Sequence, residues 1–125
     1  MKFLEKAILQ QIKTEGFITC VGLENLFEMY GVDYEGDCAW MVVGQTNVNY
    51  WGGWNDEALD FVWEVMSEND IKLDGNDGYQ KYLLEGKGLN LALVNPLISV
   101  EFIETHPEIE FWLPIVLVHS EGKAE

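Results

Sequence analysis

The sequence contains no arginine, and its seven lysines are outnumbered by twenty-two aspartates and glutamates. The formal net charge is therefore −15 at pH 7. Nucleic-acid binding depends on cationic side chains that neutralise phosphates, and arginine supplies most bidentate contacts to phosphate and guanine. A domain this acidic is repelled by nucleic acids and by anionic membrane surfaces. We expect neither nucleic acid nor membrane as a partner, whereas attraction to a basic protein is favoured.

Long apolar runs are also lacking. Glu5 and Lys6 interrupt the N-terminal segment, which therefore lacks the apolar region of a signal peptide. The run 111–118 is too short to span a bilayer. The two cysteines, Cys20 and Cys38, are expected as reduced thiols, as is usual in the cytosol. The sequence thus predicts a cytoplasmic protein.

Residues suited to metal binding or catalysis are scattered. The cysteines and the two histidines, His106 and His119, show no CxxC or HxxxH spacing. The segment from Asp74 to Glu85 matches a calcium loop at a few positions, but Tyr79 stands where that loop requires glycine. No serine lies in a nucleophile elbow, and no glycine-rich phosphate loop is present. We expect no metal, no other cofactor and no enzymatic activity; an enzyme that uses scattered carboxylates is the remaining alternative.

The pattern of apolar residues predicts a single α+β domain over residues 1–125. Its length suits one hydrophobic core, and 48% of its residues are hydrophobic. Apolar spacing predicts helices, and β-prone runs between glycine-rich or polar turns predict strands. The helices are predicted over 2–14, 23–30 and 55–68, and the strands over 17–21, 39–43, 48–51, 71–73, 79–84, 89–94 and 111–118. We expect a winged-helix-like plan of three helices and a small antiparallel sheet, with a simple α+β sandwich as the alternative; residues 95–110 are left unassigned.

The helix predicted over 55–68 has the clearest signals. Asn55 is suited to cap its N-terminus, and Leu59, Val62, Trp63 and Met66 are predicted to form its buried stripe.

Negative charge is concentrated in one part of the sequence, since twelve acids and no basic residue lie between Lys13 and Lys72. Four of the acids recur every fourth residue and would lie about 6 Å apart on one helix face. Such spacing destabilises a helix by a few tenths of a kcal/mol per pair, so helix stability does not explain it. A solvated face of an acidic protein is the favoured interpretation of this pattern, and a surface for a basic partner is the alternative that we carry forward. The candidate residues are Asp56, Asp60, Glu64 and Glu68 on the helix and Asp33, Glu35 and Asp37 in the preceding loop.

The segment 50–54 places three aromatic residues around two glycines. Trp51 and Trp54 are candidates for partner contact, because exposed aromatic rings often anchor interfaces. Packing of both rings in the core is the favoured alternative.

Three stretches, NYWGGW (49–54), YLLEGKGLNL (82–91) and FWLPIVL (111–117), resemble segments of small uncharacterised bacterial and mobile-element acidic proteins. The resemblance implies a tryptophan-glycine helix start, a hairpin and a terminal strand in a winged-helix-like plan, and it implies no activity. In such a plan the helix 55–68 would occupy the DNA-recognition position, where its acids oppose binding to DNA.

These observations favour a non-enzymatic, acidic protein-interaction domain with a surface that partly imitates nucleic acid. An inhibitor or immunity-type protein that binds a basic partner fits this size and charge. The alternative is a degenerate winged-helix regulator that acts by dimerisation or ligand binding without contacting DNA.

We predict that the purified protein binds neither duplex nor single-stranded DNA, because it has no arginine and no basic residue from 14 to 71. A gel-shift assay at about 0.1 M salt tests this, and micromolar or tighter binding contradicts it.

Overall fold

The computed structural model describes residues 2–94 and 99–120. Within these residues the chain forms five helices and seven strands arranged in two sheets, so the predicted α+β class is confirmed. In chain order the elements are α1 (Lys2–Glu15), β1 (Ile18–Thr19), α2 (Cys20–Met29), β2 (Glu35–Met41), β3 (Val48–Trp54), α3 (Asp56–Glu68), β4 (Ile71–Asp74), α4 (Gly78–Glu85), β5 (Ala92–Leu93), α5 (Val100–Thr105), β6 (Phe111–Trp112) and β7 (Val116–His119). This is not a clear winged-helix plan of three helices and one small sheet.

The first two helices follow from local sequence. Leu4, Ile8 and Ile12 recur every fourth residue and are buried along one face of α1. The helix ends at Glu15, and it is followed by Gly16, whose φ of +89° is readily adopted only by glycine. Thr19 then caps α2, because its side chain accepts a hydrogen bond of 2.9 Å from the Gly22 amide.

Helix α3 begins as predicted, and of its predicted stripe Val62 and Met66 are buried, Leu59 packs partly buried against the core, and only Trp63 is exposed. The Asn55 side chain accepts a hydrogen bond of 2.8 Å from the Ala58 amide and caps the helix. The buried residues of α3 are Ala58, Val62, Val65 and Met66. Trp63, predicted in the core, is 53% exposed. The prediction for Trp63 was wrong because the helix turns Val65 towards the core and leaves the indole of Trp63 at its surface.

One apolar run supplies strands to both sheets. In the sheet ordered β1-β7-β4, β7 pairs antiparallel with both neighbours. In the sheet ordered β2-β3-β6-β5, β6 pairs parallel with β3 and β5. The run 111–118, predicted as one strand, is divided between β6 and β7. The division falls at Pro114, which has no N–H to donate to a sheet.

The prediction of a strand over 79–84 was wrong, because these residues belong to helix α4. Tyr82 is a buried residue of this helix, and the turn before α4 connects it to strand β4. Gly78 is required at the start, since a Cβ there would overlap the Pro114 carbonyl. Of the strand predicted over 89–94, only β5 forms. Helix α5 lies in the unassigned region, of which residues 95–98 fall outside the described residues.

Most buried side chains belong to one core that includes Trp40, Trp51, Trp54 and Trp112. A smaller cluster of Val48, Ile103 and Phe111 lies beneath α5.

We predict that Val62→Ala lowers the free energy of unfolding by about 2 kcal/mol, because it opens a cavity in the core. The matched change Trp63→Ala should cost less than about 1 kcal/mol, since half of this ring is already in solvent. Urea unfolding of both variants measures the difference. A larger loss for Trp63→Ala contradicts the assignment of the buried face.

Candidate functional site

All seven acids predicted to bind a partner have exposed side chains. Four of them lie on α3, two lie on β2, and Asp33 lies two positions before β2. We call this set the acidic surface; it consists of Asp33, Glu35, Asp37, Asp56, Asp60, Glu64 and Glu68.

Asn55 fastens the two parts of the acidic surface together. Its side-chain amide donates to the Asp33 carbonyl at 2.9 Å, and its backbone amide donates to the Tyr34 carbonyl at 2.7 Å. Gly36 lies so close that a Cβ there would be 2.8 Å from the Asn55 Cα. The acids around β2 and those at the start of α3 therefore lie side by side.

Cys38 lies at this junction. Its thiol donates to Asp56 Oδ1 at 2.9 Å. That hydrogen bond, partial desolvation and the charges of Asp56, Asp37 and Asp60 raise the pKa of the Cys38 thiol. A thiol with a raised pKa stays protonated at neutral pH and is a poor nucleophile. Acids from both parts of the acidic surface thus act electrostatically on one position.

The exposed Trp63 is a surface residue that the sequence pattern did not identify. It follows Asp60 by three positions, so its indole emerges beside that carboxylate on α3. An indole face attracts lysine and arginine side chains, and tryptophan is frequent among residues that dominate binding energy. The acidic stripe of α3 therefore has an aromatic contact point beside it.

Trp51 and Trp54 are buried, so the packing alternative holds and neither ring presents surface to a partner. Both lie on β3, and their indole N–H groups donate to the same oxygen, Glu24 Oε2, at 2.8 Å each. Lys87 Nζ forms a salt bridge with Glu24 Oε1 at 2.6 Å. A buried charge is costly unless it is paired and hydrogen-bonded, and both carboxylate oxygens of Glu24 are satisfied here.

The position of Glu24 in the sequence carries a weak signal of this role. Its neighbours at i−3 and i+3, Val21 and Phe27, are both buried, so a glutamate at this place on α2 faces the core. Sequence reasoning counted Glu24 only as one of twelve acids.

The buried hydroxyl of Tyr82 connects α4 with α2 and with the residue before β7. The Tyr82 hydroxyl accepts from the Cys20 amide at 3.0 Å and donates to the Ile115 carbonyl at 2.7 Å. Burial raises the pKa of the Cys20 thiol to about 12 and raises the pKa of Tyr82. Cys20 and Cys38 are both free cysteines, and neither is poised as a thiolate nucleophile.

A groove of about 440 Å³ lies beside this region, between α4 and the segment 86–90. Tyr79, Tyr82, Leu83 and Trp112 supply its apolar lining, and Lys87 supplies a charge. The stretch 82–91 was noted in the sequence for its resemblance, but no site was predicted there.

Over residues 2–94 and 99–120, no three His, Cys, Asp or Glu side chains are grouped so as to hold a metal ion. In the same residues, no helix combines the length and apolar character needed to cross a membrane. Comparison of the chain with protein-family models, with curated proteins and with solved structures gives no match.

We predict that Glu24→Gln lowers the free energy of unfolding by about 2–3 kcal/mol, because the amide loses the lysine pair and weakens two indole hydrogen bonds. Glu64→Gln is the matched control, since this side chain is exposed on α3. Urea unfolding measures both variants, and equal stability of the two contradicts a stabilising role for Glu24.

Proposed function

We propose that this chain is a non-enzymatic, cytoplasmic protein-interaction domain that binds a basic protein through the acidic surface. The observation that carries the proposal is the exposed indole of Trp63 next to Asp60, at the edge of an exposed acidic surface built from two elements. The carboxylates would attract and orient lysine or arginine side chains, while Trp63 would provide a desolvated contact. An inhibitor or immunity-type protein of a mobile element is the biological setting that we propose.

Charge would act mainly on the rate of encounter. Complementary surfaces accelerate association at low salt, and screening at higher ionic strength reduces that gain. Duplex DNA carries one charge for about every 1.7 Å of its axis, whereas carboxylates on α3 recur about every 6 Å. The acidic surface would thus imitate nucleic acid sparsely and suit a partner that needs only a few cationic contacts.

The experiment is capture of proteins from native lysate on the immobilised domain, with elution by increasing salt and identification of what elutes. We predict that the wild type retains a basic protein and that D60K/E64K loses it, because both changed residues belong to the acidic stripe of α3. Trp63→Ala should lose the same protein while remaining folded, since the indole would contribute binding energy but little stability.

The matched control is E101K/E108K, which changes the net charge by the same amount at two exposed residues outside the acidic surface. It should retain the partner. Equal capture by wild type and D60K/E64K means that the stripe is a solvated face only. Equal loss in both double variants means that total charge, and not this surface, governs capture.

A further inference from the structure

The groove beside α4 has the size and lining of a small-molecule site. Its volume of about 440 Å³ falls within the range of about 300–1,000 Å³ that is typical of such sites. It is lined by three aromatic rings, two leucines, a lysine, an asparagine and two glycines.

The apolar part of the groove is rigid. Trp112 is buried, and its ring contacts Tyr79 and Tyr82 at centroid distances of 6.1 and 5.2 Å. The Trp112 indole N–H donates to the Tyr50 carbonyl at 3.1 Å, which fixes the ring plane. A Cβ at Gly88 would lie 2.6 Å from this ring, so only glycine lets the backbone pass along its edge. Trp112 and Tyr82 are buried and form the base of the groove, whereas Tyr79 is 41% exposed and presents its ring to a ligand. An exposed aromatic ring of this kind favours a flat ligand.

Two polar side chains in the lining retain hydrogen-bonding capacity. Lys87 is 54% exposed and uses Nζ in the pair with Glu24, which leaves N–H donors for a ligand. The Asn90 side chain makes no hydrogen bond within the described ranges 2–94 and 99–120, and its amide offers both a donor and an acceptor.

The charges around the groove favour an uncharged ligand. Among the residues that the structure describes, Lys87 is the one charged residue in the lining, and Glu24 neutralises it at 2.6 Å. No carboxylate lines the groove to hold a cation, as far as the described residues show. The net charge of −15 repels anions in general.

We propose that this groove binds an uncharged, planar heteroaromatic molecule with a hydrogen-bond acceptor at its edge. The ring packs against Tyr79 and Leu83, the acceptor receives a hydrogen bond from Lys87 Nζ, and a ligand amide or ring nitrogen pairs with Asn90. This inference is independent of the acidic surface and goes beyond the proposed function.

The test uses four matched probes with the ¹⁵N-labelled protein: nicotinamide, nicotinate, 3-(aminomethyl)pyridine and cyclohexanecarboxamide. They present a neutral planar ring, an anion, a cation and a neutral non-planar ring. We expect nicotinamide to shift the amide resonances of Gly86 and Gly88 and the indole resonance of Trp112, with a Kd of about 1 mM for a molecule this small. The other three probes should bind at least about 5-fold more weakly.

Two adjacent leucines provide the matched variants. Leu83 lines the groove and is 58% exposed, whereas Leu84 is 90% exposed and lies outside the lining. Leu83→Ala should weaken nicotinamide binding by roughly 3-fold or more, because the change removes apolar contact area. Leu84→Ala should leave binding unchanged. Tyr79→Ala should also weaken binding, with Tyr30→Ala, another exposed tyrosine, as its control.

Three results overturn the proposal. No resonance shift with nicotinamide at 10-fold above about 1 mM excludes the ligand class. Binding of nicotinate or the amine as tight as that of nicotinamide contradicts the preference for an uncharged ligand. Equal affinity of the Leu83→Ala and Leu84→Ala variants places the bound molecule outside the groove.

Discussion

The carboxylate of Glu24 connects three separate parts of the chain. It lies on α2, it accepts hydrogen bonds from the indoles of Trp51 and Trp54 on β3, and it forms an ion pair with Lys87 after α4. Removing a carboxylate from water costs several kcal/mol unless hydrogen bonds and charge compensate for the lost hydration. Here two indole donors share Oε2 and an ammonium contacts Oε1, so the charge is retained inside the fold and fixes the mutual position of the three elements.

The acidic surface and the groove beside α4 both adjoin elements that Glu24 connects. Trp54 is held by Glu24 immediately before Asn55, and Asn55 caps α3 and binds the loop that carries Asp33. The antiparallel pairing of β2 with β3, which sets Glu35 and Cys38 opposite Trp54, also brings the two parts of the acidic surface together. At the other oxygen, Lys87 is drawn to Glu24, which places its side chain in the wall of the groove beside Trp112. A single buried charge therefore helps to order two regions of different chemistry.

The sequence predicted features that depend on local periodicity and missed those that depend on distant contacts. The helix at 55–68, its Asn55 cap and the exposure of its four spaced acids follow from a 3.6-residue period and capping chemistry. Helix α4 was missed because the short apolar segment 79–84 fits strand and helix patterns equally. The contacts that hold Tyr82 in the structure, with Cys20 and Ile115, are distant in sequence. The partners of Glu24 lie 27, 30 and 63 residues away, so no local pattern reveals them. The groove likewise unites α4 with Trp112 from a distant strand.

The composition of α3 places the strength of the helix in its cap and its buried face. Asp56 and Glu57 favour the positive N-terminal end of the helix dipole, but the last turn has no basic residue and carries Glu68. Asp60 and Glu64 repel neighbouring acids by a few tenths of a kcal/mol per pair, whereas the Asn55 cap contributes about 1 kcal/mol and burial of Val62 about 2 kcal/mol. The cap and the buried face of α3 therefore outweigh the repulsion between its acids. Under the proposed function, cationic side chains of a partner would remove that repulsion on binding. The helix would then be more stable in the complex than in the free protein, and this difference in free energy would add to the affinity.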